Sequence, residues 1–363
     1  MSLLAVLAGC AMGVPEMPLS GGAADIGAAR AERDRRECVA AAQTALGRDF
    51  VVERRARRVV TRPEGRLLVR YSTEDELTAL IDGLVDHLLG TCLTRKGYEE
   101  LFGFFIVPPR GEGWTRNVSK QGRSEDIVFA KSAAAAGAVH TALALAGAIE
   151  VELPVKDREA VVRNLAADLR KEWEAPRFTL ASFDVSEETW LGADCVRYRI
   201  AARDRGVPGF EGEAFALGAR GIRCVHPDLP GLQPGKVVDV GYSQRFRGGV
   251  WQTAMDAEVE PFLTSLIFTS VDPSAHVIAA LQRYAALLRE LGRSAGAAEV
   301  LEQVEKLQRP GGGAVGFAPA QRLGSYAAVL RAQGREGQAT EAEALAAAYL
   351  RSSFREYLRR RGY

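Results

Sequence analysis

Alternation of apolar and charged residues near the middle of the chain constrains its fold more than any other pattern. In residues 196–203, apolar side chains at 196, 198, 200 and 202 alternate with Arg197, Arg199 and Arg203. Residues 238–243 alternate in a similar way. Because successive side chains of a strand point to opposite faces, both runs predict strands of an antiparallel sheet with one buried face. Two shorter strands are predicted between them, at residues 213–217 and 222–225.

Helical patterns flank these strands. Residues 157–174 have apolar positions at helical spacing, and Asp157 is placed to cap the helix. A closing helix is predicted from residue 260, with Leu266 and Ile267 on its inner side. The order of elements predicts the α+β fold class, with helices packed on an antiparallel sheet in a two-layer sandwich. This order resembles that of PsbP- and Mog1-like folds.

The N-terminal region mixes both periodicities. An Ala-rich helix is predicted at residues 26–46, with Gly47 as its stop signal. Two β-like stretches, 50–60 and 66–71, are separated by a segment with hairpin-turn chemistry. A leucine-rich helix follows, with acidic residues in its first turn. The phenylalanine-rich segment 101–114 is interpreted as a boundary.

The last 90 or so residues contain an internal repeat. Residues 284–293 recur as 326–335 at an offset of 42 positions, each with a Gly-Arg pair after a Tyr-Ala-Ala helix. This pattern resembles the tetratricopeptide helix-turn-helix, although two units and a Gly/Pro linker at 310–319 depart from it. An ordinary pair of helical hairpins with coincidental similarity is the alternative.

The N-terminus resembles a targeting signal. Residues 1–9 are uncharged and mostly apolar, and Leu7-Ala8-Gly9-Cys10 is similar to the lipobox of bacterial lipoproteins. The resemblance implies cleavage before Cys10, a lipid on its thiol and its new amino group, and outer-membrane sorting from the non-acidic Ala11. Several acyl chains make a stable anchor. The alternative is a buried N-terminal segment with a chance cysteine.

If lipid occupies Cys10, four of the five cysteines remain: Cys38, Cys92, Cys195 and Cys224. An even number in an exported protein indicates disulfides, and the two local pairings are the most economical of the three possible. Four free thiols in a cytosolic protein would be the alternative. Metal binding is a third, but the spacings do not suit a zinc site.

These patterns divide the chain into five predicted segments. They are a signal peptide (1–9), a flexible tether (10–25), a small α+β region (26–110), an α+β sandwich (111–271) and a helical region (272–363).

Composition excludes some classes of function. A net charge of +1 provides no field that would attract nucleic acid, and no basic stripe is interleaved with aromatic residues. The weakly polar run 132–149 is Ala-rich, and we expect a turn and a buried strand there, with no transmembrane helix. No cofactor or metal is expected.

Few residues point to catalysis. The glycines of 311–316 lack the preceding strand and following helix of a dinucleotide site, so they predict a linker. His226 lies near Asp228 and is a candidate general base, but the adjacent cysteine and proline favour a structural turn after a strand. Arg245 and Arg247 are candidates for a surface site that binds an anionic partner.

We therefore expect a non-catalytic lipoprotein, anchored to the outer membrane and facing the periplasm, that contacts a protein of the envelope. The alternatives are an envelope-associated hydrolase that uses His226 with Asp228, and a cytosolic protein with a spurious leader.

Overall fold

The computed structural model describes 16 stretches of the chain. They are residues 23–54, 60–61, 67–71, 74–101, 103–121, 124–135, 138–151, 158–174, 176–207, 210, 212–227, 235–247, 251, 253–269, 271–309 and 317–361. The eight helices in this part of the chain are α1 (Ala23–Asp49), α2 (Glu74–Arg95), α3 (Arg158–Trp173), α4 (Thr253–Leu263), α5 (Ser274–Glu290), α6 (Ser294–Gln308), α7 (Ala318–Ala332) and α8 (Glu336–Arg361).

The strands of the same stretches form three sheets. The strands are β1 (Phe50–Arg54), β2 (Val60–Thr61), β3 (Leu67–Tyr71), β4 (Glu99–Leu101), β5 (Phe104–Ile106), β6 (Thr115–Gln121), β7 (Ser124–Ala135), β8 (Ala138–Val151), β9 (Phe178–Trp190), β10 (Ala193–Asp204), β11 (Phe215–Val225), β12 (Gly235–Phe246) and β13 (Ile267–Phe268). The predicted fold class, α+β with an antiparallel sheet, packed helices and C-terminal helical hairpins, is confirmed.

The chain divides into two compact units. Unit 1 comprises Met1–Asp34 and Gly97–Phe268, and unit 2 comprises Arg35–Lys96 and Thr269–Tyr363. The predicted domain boundaries at residues 110 and 271 stay predictions; in this division the segment 35–96 groups with the C-terminal helices. The reason is side-chain packing between segments distant in sequence, which no local pattern records.

Unit 1 is built on a seven-stranded sheet of order β6-β7-β8-β12-β11-β10-β9, in which all neighbours are antiparallel. Helix α3 packs on one face, where Leu169 and Trp173 join Tyr198 and Ile200 in a hydrophobic cluster. Helix α4 packs on β12 and β8 at the opposite face, and Phe262 meets Phe129 edge to face. The sheet therefore has helices on both faces, and the predicted two-layer arrangement with one buried face is wrong.

Strand β11 is continuous, whereas the sequence predicted two short strands interrupted by glycines. Both glycines lie inside the ladder because neighbouring aromatic side chains occupy the space that a Cβ would need. A Cβ on Gly218 would lie 2.5 Å from the ring of Trp251, and one on Gly221 would lie 2.5 Å from the Tyr198 hydroxyl. A strand glycine here marks close approach and not a break.

The predicted closing helix from residue 260 is also wrong. Helix α4 ends at Leu263, after which the Ser265 hydroxyl accepts a 2.7 Å hydrogen bond from the backbone N–H of Val107. The chain then forms β13, which pairs with Phe104 and Phe105 of β5. Both phenylalanines are fully buried, so the first part of the segment interpreted as a boundary belongs to the core of unit 1, whereas residues 110–113 are exposed.

Unit 2 joins α2 to α8. Leu80 and Leu84 pack against Phe354 and Leu358, and all four are almost fully buried. The helix backbones approach closely, since a Cβ on Gly83 would lie 2.6 Å from the carbonyl oxygen of Arg351.

One stretch within the described part of the chain, Leu77–Arg95 of α2, is long and apolar enough to cross a membrane by length and composition alone. Its leucines contribute to the core of unit 2, as such a helix of a globular domain would. The sequence predicted no transmembrane helix in the run 132–149. The described residues of this run belong to β7 and β8.

The internal repeat forms two helical hairpins, α5–α6 and α7–α8. The matching glycines Gly292 and Gly334 both have positive φ, 69° and 72°, and end the first helix of each hairpin. The matching tyrosines Tyr284 and Tyr326 lie against each other, with ring centroids 5.1 Å apart. The relation to tetratricopeptide repeats stays a prediction.

The N-terminal elements differ in detail from the prediction. Helix α1 continues through Gly47 to Asp49, so this glycine does not end it. Strand β1 pairs with β3 in parallel, and only the short β2 pairs with β3 in the antiparallel manner of the predicted hairpin. The predicted hairpin turn lies outside the described residues.

Candidate functional site

A pocket opens on the face of the unit 1 sheet that α3 covers. The whole cleft, including the open solvent in front of it, has a volume of about 560 Å³. Leu143 and Leu145 of β8 and Val128 of β7 form an apolar floor, and Leu169 and Trp173 of α3 contribute one wall. The three floor side chains are only half-buried, so they offer apolar surface to anything that enters.

One transverse row of the sheet explains the shape of this floor. Val128 pairs with Leu145, Leu145 with Gly241, Gly241 with Gly221, and Gly221 with Tyr198. The Tyr198 hydroxyl lies within 2.5 Å of the positions where the Cβ atoms of both glycines would stand, so its side chain lies across them. The two missing side chains therefore let Tyr198 reach along the sheet toward Asp239.

A buried polar cluster lies at the other end of the pocket. Tyr198 donates a 3.0 Å hydrogen bond to Asp239 Oδ1, and the guanidinium of Arg223 donates from Nε and Nη2 to Asp239 Oδ2 at 2.8 and 2.5 Å. Arg223 also donates to both carboxylate oxygens of Glu172 in α3, at 3.1 and 2.9 Å. The cluster thus ties α3 to strands β10, β11 and β12.

Burial and charge act on the protonation of these groups. Burial raises the pKa of Tyr198 well above its ordinary value, and the neighbouring Asp239 adds to the effect. Burial also raises the pKa of Glu172, and Arg223 opposes this only in part. Burial by itself would lower the pKa of Arg223, but Asp239 and Glu172 outweigh it and raise that pKa. Arg223 is therefore a permanent cation held between two carboxyl groups.

The cluster carries an excess of acidic groups. Arg223 is its one cation, whereas Glu172 and Asp239 both contact the guanidinium directly. Two further carboxyl groups interact with the cluster: Asp168 raises the pKa of Glu172, and Asp239 raises the pKa of Asp126. Burial raises the pKa of Asp126 and so opposes its ionisation, whereas a cation bound nearby would favour the ionised form. The polar end of the pocket therefore favours a cation over an anion.

Sequence reasoning did not identify this pocket. It placed Tyr198 on a buried face but treated Asp239 as a solvent-facing residue of an alternating strand. The register pairs Asp239 with Arg223 across two strands. Opposite charges at paired positions of neighbouring strands can indicate such a cluster. Recognising the pair requires the strand register, which a local sequence pattern does not provide.

The structure contains both local disulfides that the sequence favoured. Cys38 of α1 is bonded to Cys92 of α2 with a Cα–Cα distance of 5.6 Å. Cys195 and Cys224 are directly paired residues of β10 and β11, with a Cα–Cα distance of 4.0 Å. The first bond lies in unit 2 and the second in unit 1. Cys10, the predicted lipidation site, lies outside the described residues.

His226 has a structural position. Its side chain is buried, its Nε2 lies 2.7 Å from the carbonyl oxygen of Gly103, and its ring meets Phe268 edge to face. This places it beneath the small sheet of β4, β5 and β13, in a packing role. Asp228, its predicted partner, lies outside the described residues.

The two arginines predicted to form a surface site do not do so. Arg245 is 2% exposed and forms a 3.0 Å ion pair with the fully buried Asp204. Arg247 pairs with Glu213 and lies over the ring of Phe210. Because one guanidinium is buried and the other is bound to a neighbouring carboxylate, the prediction of an anion-binding surface is wrong.

Among the described residues, no group of three or more His, Cys, Asp or Glu side chains is arranged to hold a metal ion.

Comparisons with known proteins assign no family to this chain. No protein-family model matches it, and no curated protein matches its sequence. Among solved structures, LpqN, involved in cell envelope biogenesis of Mycobacterium tuberculosis, is similar with 14% identity and a TM-score of 0.28. The similarity covers 47% of this chain and 86% of LpqN. A TM-score of this size does not assign a family or a function.

Proposed function

We propose that this protein is an exported lipoprotein that binds a ligand or partner in the cell envelope and catalyses no reaction. The observation that carries the proposal is the presence of two disulfides, one in each unit. Protein disulfides form and persist in oxidising compartments outside the cytosol. Together with the likeness of Leu7-Ala8-Gly9-Cys10 to a lipobox, they support export followed by lipid anchoring at Cys10.

A binding role fits the chemistry of the pocket in unit 1. The described residues that line it include no histidine and no cysteine. General acid–base catalysis works best with a group whose pKa lies near the working pH. The raised pKa values of Tyr198 and Arg223 keep both groups protonated at neutral pH, and each is hydrogen-bonded to Asp239. Such groups orient a ligand better than they transfer protons.

The helical hairpins of unit 2 are assigned to contact with another protein. The support for this assignment is the resemblance of the repeat to tetratricopeptide units, which bind partners along stacked hairpins. We place the anchored protein at the outer membrane, facing the periplasm, because Ala11 after the lipobox cysteine is not acidic.

Metabolic labelling with palmitate tests the anchor. The wild-type protein is expected to take up label and to fractionate with membranes, whereas Cys10→Ser should lose the label and become soluble. A Cys195→Ser variant is the matched control, because it removes another cysteine and leaves the lipobox intact. Unchanged labelling of Cys10→Ser would refute anchoring at this residue.

Peptide mapping without reduction tests export separately. Protein isolated from cells should yield the linked peptides Cys38–Cys92 and Cys195–Cys224. Four free thiols in that protein would contradict an oxidising compartment and support a cytosolic location.

A further inference from the structure

We propose that the pocket beneath α3 binds an amphiphile that consists of an apolar chain and an ammonium head group. The chain would lie on the apolar floor, and the head group would lie at the acidic cluster of Glu172 and Asp239. The inference deepens the proposed binding role, and rests on it for the claim that the site is used in the cell.

The apolar floor accounts for the chain. Val128, Leu143 and Leu145 lie on two neighbouring strands, and all three remain half-buried although they face the helix-covered side of the sheet. Leu169 and Trp173 close one side but are almost fully buried, so the three floor side chains offer the apolar surface that a ligand would cover. Burying such surface stabilises a complex by about 25 cal/mol per Å² of apolar area removed from water. Because the floor runs across strands, it suits an extended chain better than a compact group.

The charge balance selects the head group. Two carboxyl groups contact Arg223, and their side chains are 20% and 10% exposed at Glu172 and Asp239. Arg223 neutralises one of them, so one negative charge remains in contact with the pocket, and Asp126 and Asp168 strengthen it. An ammonium group would donate charge-assisted hydrogen bonds to these oxygens. A carboxylate or sulfate head would be repelled.

Arg223 does not reverse this preference, because four of its five N–H groups already donate to carboxylate oxygens. Its Nε and both terminal nitrogens donate to Asp239 or Glu172. An anionic ligand could reach only the remaining Nη1 N–H without displacing an ion pair, and it would lie beside two carboxyl groups that repel it. The cationic ligand meets no such repulsion from them.

Calorimetric titration of the purified full-length Cys10→Ser chain tests the proposal without dependence on anchoring. The probes are dodecylammonium, dodecanol and dodecanoate, each below its micellar concentration. We expect one site per chain, with dodecylammonium bound about tenfold or more tightly than dodecanoate, since charge-assisted hydrogen bonds are worth this factor or more. Equal or tighter binding of dodecanoate, or no binding of the ammonium probe, would overturn the proposal.

Two variants locate the site. Leu145→Trp fills the floor and should abolish binding, whereas Val118→Trp places the same side chain at an exposed position of β6 and should leave affinity unchanged. Glu172→Gln should reduce the preference for ammonium over dodecanol several-fold and leave dodecanol binding in place. A urea transition for each variant confirms folding, and Val128→Trp replaces Leu145→Trp if the latter does not fold. Unchanged affinity in a folded floor variant would refute the location.

The outcomes separate this inference from the proposed function. Labelled Cys10 with no ammonium binding would retain the envelope protein and reject the ligand. Ammonium binding without label on Cys10 would retain the pocket and reject the anchor.

Discussion

The Tyr198 hydroxyl donates a 3.0 Å hydrogen bond to Asp239 and also fills the place where a Cβ of Gly241 would stand. One atom thus satisfies a buried carboxylate and explains a glycine in the middle of a strand. Two features therefore set the position of the Tyr198 side chain. Gly241 of β12 leaves room for its hydroxyl, and Asp239 of the same strand accepts its hydrogen bond. Because of this arrangement, removing the Tyr198 hydroxyl or adding one carbon atom at Gly241 should change the stability of unit 1.

Removing this hydroxyl should destabilise unit 1. In Tyr198→Phe, Asp239 loses one donor in a buried place, and we expect the free energy of unfolding to fall by about 1–3 kcal/mol. Urea denaturation measures the change. Tyr326→Phe is the control, since Tyr326 is equally buried but packs against a ring in α5. A loss in Tyr198→Phe no larger than in the control would contradict the role of the hydrogen bond.

Gly241→Ala should destabilise the protein by about 1–3 kcal/mol, as overpacking does in a dense core. The collision is with the Tyr198 hydroxyl, whereas the next nearest atom is the ring carbon Cζ at 3.5 Å, an ordinary contact. In a Tyr198→Phe background the same change should therefore cost much less. A double-mutant cycle on urea transitions measures this coupling.

Gly221→Ala is the matched comparison for that cycle. A Cβ on Gly221 would lie 2.5 Å from the carbonyl oxygen of Val240 as well as from the Tyr198 hydroxyl. Because a backbone atom cannot be removed by Tyr198→Phe, this variant should stay destabilised in both backgrounds. Equal rescue of Gly221→Ala and Gly241→Ala would show that the collision lies elsewhere.

The protonation of Glu172 should appear in the dependence of stability on pH. Burial raises its pKa above the ordinary 4.5, so the folded state binds this proton more tightly than the unfolded state does. The resulting stabilisation is complete below pH 4.5 and is lost as the pH rises through the raised pKa. The free energy of unfolding of the wild type, relative to Glu172→Gln, should fall as the pH rises above 4.5.

Urea denaturation of both proteins across this range checks the sign. Glu343 provides the contrast, because the hydrogen bond from Arg331 lowers the pKa of Glu343. The stability that Glu343 contributes is present above its ordinary pKa and is lost as the pH falls, so the difference against Glu343→Gln should change in the opposite direction. A wild-type advantage over Glu172→Gln that grows with pH would contradict the direction given for Glu172.

Each disulfide should protect the unit that contains it. Chain-entropy estimates give about 4 kcal/mol for Cys38–Cys92, with a separation of 54 residues, and about 3.5 kcal/mol for Cys195–Cys224, with a separation of 29. Replacing the first pair by serine should reduce hydrogen-exchange protection in α1 and α2. Replacing the second should do so in β10 and β11. Identical exchange patterns in the two variants would contradict independent effects.

Two glycines in helices should respond with opposite signs to alanine. Gly83→Ala should destabilise unit 2, because its Cβ would collide with the carbonyl oxygen of Arg351, and a gain of about 1 kcal/mol in helix propensity does not offset this. Gly324 lies inside α7 with no atom within 4 Å of a Cβ, so Gly324→Ala should stabilise the protein by about 0.5–1 kcal/mol. Thermal unfolding compares the two, and a stabilised Gly83→Ala would show that the helices can move apart.

Local sequence patterns predicted most elements of the fold but did not predict the candidate site. Alternation identified β10 and β12, helical spacing identified α2 and α3, and the repeat identified the hairpins of α5 to α8. Glycine was the main source of error in the strands. Gly218 and Gly221 indicated interruptions of β11, yet Trp251 and Tyr198 fill the space beside them. A glycine in the sequence shows where a side chain is absent, but not which distant residue fills the space beside it.

The sequence by itself determined the α+β class, most of the helices and strands, and the even set of four cysteines beyond Cys10. These follow from side-chain direction and spacing along a single segment, which are local properties. Only the tertiary structure decided that both faces of the sheet are covered, that His226 packs against Phe268, and that Arg223 lies between Glu172 and Asp239. The physical reason is register, since three segments distant in sequence must be aligned before opposite charges can meet beneath α3.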